Sequence, residues 1–129
     1  MRRIVKSDTI ELKGRTRPIN VTQDSGCYLE ILQTIDTQIH AMLDRHSKVA
    51  IVRLDLNTGH KRLENSDMRG LIKRLRNRCR SWYGKDFGYT WVREINNHHH
   101  HYHLALFLDG NRCRSGWKIY KWVVARADR

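Results

Sequence analysis

The hydrophobic positions of this chain follow two periods, and each change of period marks an element. From Asp24 onward Tyr28, Leu29, Ile31, Leu32, Ile35, Ile39, Met42 and Leu43 recur at helical spacing, with Glu30, Thr34, Asp36, Thr37, Gln38 and Asp44 on the opposite side. An amphipathic helix capped by Asp24 or Ser25 is predicted here. Lys48 to Leu56 then alternates strictly. Ala50, Val52, Leu54 and Leu56 make an apolar face that belongs against helices, while Val49, Ile51, Arg53 and Asp55 make a face that turns polar toward its end. Asn57-Thr58-Gly59 ends the strand. Asn65 or Ser66 caps a second helix whose stripe is Met68, Leu71, Ile72, Leu75, Cys79 and Trp82. Strands are predicted over Tyr89 to Ile95 and about His100 to Leu108, joined by a hairpin at Asn96-Asn97 and the first histidines. Ser115 caps a last helix, with Trp117, Tyr120 and Val124 as its apolar stripe.

The order helix, strand, helix, strand, strand, helix fits an α+β fold: a central antiparallel sheet with helices packed on one face and the other left open, as in a palm. A fourth strand would come from residues 3 to 13 or be missing, leaving the palm incomplete. Residues 1–22 read as a basic N-terminal arm, with Thr9 to Lys13 alternating briefly and Arg15, Arg17 and Pro18 extended. Residues 23–129 read as one domain.

Composition narrows the partners. The 129 residues are 40% hydrophobic and 29% charged with a single proline, which is a globular balance, but the net charge of +12 makes a polyanion the natural partner. Nucleic acid is the first reading and an anionic membrane surface the second. No apolar run approaches the ~20 residues that span a bilayer, so no membrane partner is expected. Met1-Arg2-Arg3 has no apolar signal core behind it, and Cys27, Cys79 and Cys113 form no C-x-x-C pair. Reduced thiols in a cytoplasmic protein follow from that usage. The second helix carries Arg69, Lys73, Arg74, Arg76, Arg78 and Arg80 against Asp67 alone. That excess predicts a surface contacting a phosphate backbone, with Arg69, Lys73, Arg76 and Arg80 on the helix and Arg53 and Arg93 from the strands.

Candidate chemistry lies in His98-His99-His100-His101-Tyr102-His103. Leu104, Leu106 and Leu108 share a strand face with Tyr102 and His100 and should bury against the helices. His99, His101 and His103 then turn to the open face, where two imidazoles at i and i+2 can converge on one ion. Glu94, on the neighbouring strand, falls on the same face as the third ligand, with Asp55 or His99 as substitutes. Two histidines and a carboxylate leave positions for water and a phosphate oxygen, and they suit Mg²⁺ or Mn²⁺ while also holding Zn²⁺.

These residues resemble a family. His101-Tyr102-His103 fits the histidine-hydrophobe-histidine motif of rolling-circle replication initiators and relaxases, the HUH endonucleases. Trp91-Val92-Arg93-Glu94 through His101-Tyr102-His103-Leu104-Ala105-Leu106-Phe107-Leu108-Asp109-Gly110 is more closely similar to the inovirus gene-two replication protein family, which includes the YagK/YfjJ C-terminal-type domain. The likeness runs over roughly residues 25 to 125. It implies an HUH/RRM-like palm and a single-strand nickase that initiates rolling-circle replication of a phage, prophage or mobile element. A divalent metal would polarise the scissile phosphate of single-stranded DNA and a tyrosine hydroxyl would attack it. In the family that tyrosine lies on a later helix in a Tyr-Leu-x-Lys-like motif. Arg129 ends this sequence before such a segment, so a C-terminally truncated initiator is the expectation, with Tyr120, next to Lys121, as the substitute nucleophile. Two other readings stay open: a catalytically inactive nucleic-acid-binding remnant or regulator, and a metal-binding or protein-interaction module without nucleic acid.

Overall fold

A computed structural model describes residues 4–5, 9–12, 15–18, 27–57, 64–96 and 99–127, with side chains at 11, 29–56, 64–94 and 101–125. The chain divides into two compact units, residues 1–40 and 41–129. In the first, β1 (Ile4–Val5) pairs antiparallel with β4 (Cys27–Tyr28). Between them, β2 (Thr9–Leu12) and β3 (Arg15–Pro18) form a hairpin with Leu12 opposite Arg15. The expected short strand near Thr9 therefore forms, and the extended arm after it becomes its partner. Helix α1 (Leu29–Leu43) follows where the spacing predicts one, but Tyr28, the first residue of the expected stripe, belongs to β4, and the expected caps Asp24 and Ser25 lie outside the described residues. Its Asp36 is buried, and the Nδ1 of His40 lies 2.8 Å from the Asp36 carbonyl one turn back. The reading of Tyr28 as a core residue falls outside the described side chains.

The second unit carries the sheet. Strands β5 (Val49–Asn57), β6 (Phe87–Asn96) and β7 (His99–Asp109) pair in the order β5-β7-β6, all antiparallel. Among the described residues no fourth strand joins them. Helices α2 (Asn65–Tyr83) and α3 (Trp117–Ala127) cover one face. Val52 and Leu54 of β5, Leu104, Leu106 and Leu108 of β7, Ile72, Leu75, Cys79 and Tyr83 of α2, and Ile119 and Val123 of α3 form a single cluster there. This is the α+β arrangement that the alternation of periods implies. Leu106 has no exposed surface, so truncation to alanine costs about 2–5 kcal/mol. The thiols of Cys79 and Cys113 are part of the cluster, and burial pushes Cys79 up to about 12.

Local chemistry sets the helix ends. The cap of α2 is Glu64, one residue before the predicted Asn65. The Asp67 carboxylate accepts the Glu64 N–H at 2.8 Å, and Glu64 reaches the Asp67 backbone in return. A box of two acidic residues hides from a rule that looks first for Ser, Thr, Asp or Asn. At the other end Gly84 takes φ +104°, a left-handed conformation open to glycine. Helix α3 can approach β5 because residue 116 is glycine: a Cβ there would lie 2.7 Å from Cγ1 of Val52.

The face of α3 differs from the expectation. Ile119 and Val123 point inward, and Trp117, Tyr120 and Val124 are 61%, 49% and 40% exposed. The helix carries two interleaved apolar stripes, and periodicity alone cannot say which one meets the sheet. The second sheet face also changes character along its length. Phe107 is fully buried there, while Arg53 and Asp55 beside the histidine end of β7 are exposed.

Candidate functional site

Register brings the site together. Across the sheet Asp55 of β5 lies directly opposite His103 of β7, and Glu94 of β6 lies opposite His101. Direct partners stand ~5 Å apart and diagonal ones ~7–8 Å, both within reach of an imidazole. His103 uses both. Its Nδ1 is 2.8 Å from Asp55 Oδ1 and its Nε2 is 2.8 Å from Glu94 Oε2. Both acceptors are carboxylates, so both ring nitrogens donate, which is the arrangement of an imidazolium. The hydrogen bond to Asp55, then that to Glu94, raises His103 above the usual histidine value against the pull of burial. The same His103 contact, helped by Arg53, lowers Asp55 below the ordinary carboxylate range. Arg53 Nε donates to Asp55 at 3.3 Å.

The predicted ligands divide. His103 and Glu94 meet, and Asp55 takes the place next to His103 that the sequence reading left to a substitute. His101 is on the same face and half-buried, two residues along β7, and makes no hydrogen bond or ion pair among the described residues. The side chain of His99 lies outside the described ones. As the side chains stand, the described residues include no group of three His, Cys, Asp or Glu poised to hold a metal. At His103 each nitrogen already faces a carboxylate. The donor types nevertheless fit a divalent ion: oxygens of two carboxylates and the nitrogens of two imidazoles on one exposed surface. His103 would join such a set only after giving up a proton and one of its two partners.

The other predicted residues lie elsewhere. Arg53 is beside the site, 72% exposed. Arg69, Lys73, Arg76 and Arg80 are exposed on α2, whose inner side packs on the opposite sheet face. A helix layer therefore separates them from His103. Arg76 lies over the Phe87 and Tyr89 rings at 5.9 and 5.8 Å, and Arg93 lies over the Tyr102 ring at 5.9 Å, also on the helix side. No described tyrosine shares the His103 face. Tyr89 and Tyr102 alternate onto the helix side, where Tyr102 donates to Asn65 Oδ1 at 3.2 Å. Tyr83 is buried and pushed up to about 12 by that burial. Tyr120 lies on the outer surface of α3, stacked on Trp117 at 5.5 Å between ring centres.

A second imidazole cluster was missed from sequence. His46 Nε2 lies 2.7 Å from Asp86 Oδ2 and its Nδ1 3.3 Å from Asp109 Oδ2, while Arg45 donates to Asp86 at 2.6 Å. The hydrogen bond from His46, then the charge of Arg45, holds Asp86 below the usual carboxylate range. These residues come from two turns and the end of β7, with no shared motif. Only the fold brings them together.

No curated protein and no solved structure matches the chain. The family model of the YagK/YfjJ C-terminal domain does match, over residues 15–118, a span that contains the sheet, both imidazole clusters and the start of α3. The chain belongs to the YagK/YfjJ C-terminal domain family.

Proposed function

We propose that this protein handles single-stranded DNA in the manner of a rolling-circle replication initiator, with a divalent-metal site at the open end of its sheet. The observation that carries the reading is His103 held between Asp55 and Glu94 on an exposed sheet surface of a chain with net charge +12. His103, Glu94, Asp55 and His101 would hold Mg²⁺ or Mn²⁺, and such an ion supplies charge stabilisation at a phosphate oxygen. Arg53, beside the site, binds the strand by a phosphate contact. Asp55 and Glu94 orient the His103 ring from both sides, so its position does not depend on the strand being present.

One feature favours the second reading, a nucleic-acid-binding regulator that does not cut. Tyrosine-mediated nicking needs a phenol oxygen at the scissile phosphate, and no described tyrosine shares the His103 face. Labelled single-stranded DNA incubated with the protein and Mn²⁺ separates the two readings. A covalent protein–DNA adduct that disappears in His103→Ala and in one Tyr→Phe variant supports nicking. Binding that weakens steeply with salt, without an adduct, supports the regulator. Absence of Mn²⁺ uptake by the wild type overturns the metal site.

A further inference from the structure

Helix α3 presents a surface that the histidine site leaves unexplained. With Ile119 and Val123 buried in the core, the residues at i, i+3 and i+7 form an outward stripe of Trp117, Tyr120 and Val124. The Trp117 and Tyr120 rings are stacked, 5.5 Å apart and 20° from parallel. Lys121 Nζ lies 5.8 Å above the Trp117 ring, and Lys118 Nζ lies 4.8 Å above Trp82 at the end of α2. From Arg112 to Ala127 the sequence contains no Asp or Glu. Among the described residues neither lysine is in an ion pair. Two large rings open to water, flanked by cations and free of carboxylates, call for a ligand with flat apolar faces and regularly spaced negative charge.

We infer that the Trp117–Tyr120 stack with Lys118 and Lys121 is a base-stacking site for single-stranded nucleic acid, separate from the histidine face. Unpaired bases offer the π-faces that a duplex hides, and the adjoining phosphates suit the lysines. Helix α3 packs on the sheet face opposite His103, so a base stacked here does not touch the histidine site. The inference rests on the reading above that single-stranded nucleic acid is the partner.

Fluorescence anisotropy with a labelled oligothymidylate and an abasic deoxyribose-phosphate oligomer of equal length tests it. Trp117→Ala and Tyr120→Ala are each expected to weaken oligothymidylate binding about tenfold, with the abasic oligomer unchanged. Trp117→Phe retains most of the affinity, and Lys121→Gln weakens both probes alike. An oligouridylate arm shows whether ribose is accepted as well. Equal losses on the two probes, or none, overturn the stacking site. So does self-association of the protein that the Ala variants abolish while oligothymidylate binding persists. A wild type that binds no oligomer overturns the site together with the nucleic-acid reading. A wild type that stacks bases but takes up no Mn²⁺ overturns the metal site alone.

Discussion

Two imidazoles in this protein each lie between two carboxylates, roughly 20 Å apart along the same central strand, and their surroundings differ. At one end His46 joins Asp86 and Asp109, with side chains only 20%, 11% and 12% exposed. The cluster is assembled from three places: the turn into β5, the turn into β6 and the end of β7. Asp109 also accepts the Asn111 N–H at 2.9 Å, and its carbonyl closes the turn to Cys113. At the other end His103, Asp55 and Glu94 are 35%, 57% and 56% exposed and lie on strands that backbone ladders already hold together. The first cluster ties the fold; the second is nearly redundant for it. A cluster that stability does not need is free to exchange a proton for a metal.

The largest expected effect tests that division directly. Removing His46 leaves two part-buried carboxylates facing each other and Arg45, so His46→Ala is expected to cost about 2–3 kcal/mol in urea unfolding. His103→Ala is expected to cost under about 1 kcal/mol, because both of its partners are open to water. Equal losses would erase the distinction between a cluster that ties the fold and one that does not.

Metal sharpens the comparison next. At ten times its dissociation constant a bound ion stabilises the folded state by about 1.4 kcal/mol. Mn²⁺ is expected to raise the unfolding midpoint of the wild type and of Asp86→Asn, and to leave Asp55→Asn and Glu94→Gln unmoved. Stabilisation that follows Asp86 would relocate the metal site to the wrong end of the sheet.

The two clusters also answer pH from opposite sides. His103 is raised above its ordinary value, so its contribution is fully present below about pH 6.5 and fades as the pH rises through the folded value. Asp86 is lowered, so its contribution is present above about pH 4 and fades as the pH falls through the folded value. The stability gap between wild type and His103→Ala should close as the pH rises from about 6.5 through the folded value, and the gap for Asp86→Asn should close only in acid. Urea titrations at three pH values check both. A His103 gap that widens with alkali would reverse the assignment.

What could be read from the sequence follows from how local each signal is. The alternation of Val49 to Leu56 and of Tyr102 to Leu108 belongs to single strands, so the sheet, its buried face and the exposure of His103 were all legible. Glu94 was legible because a short hairpin fixes register. Asp55 was harder: β5 and β7 are far apart in sequence, and nothing local sets which residue meets His103. The His46 cluster depends on three long-range meetings and left no trace in the pattern. On α3 the spacing predicts Trp117, Tyr120 and Val124 as the core stripe; the structure buries Ile119 and Val123 instead and leaves the rings outside.

The smallest expected effect isolates the ion pairs themselves. In the wild type the His103 ring should titrate above the ordinary histidine value, followed through its ring protons by NMR. Asp55→Asn removes the first cause of that shift and Glu94→Gln the second, so each should bring the titration back toward about 6.5, Asp55→Asn further. Both clamps act in water, so added salt should narrow these differences. Such small energies are what a ligand exchange requires: a ring held by weak, screened contacts is oriented in advance yet surrenders a partner at little cost. Were the Asp55→Asn titration to stay at the wild-type value, the ring would be held by something other than the two carboxylates. The open end of the sheet would then lose its claim to the metal.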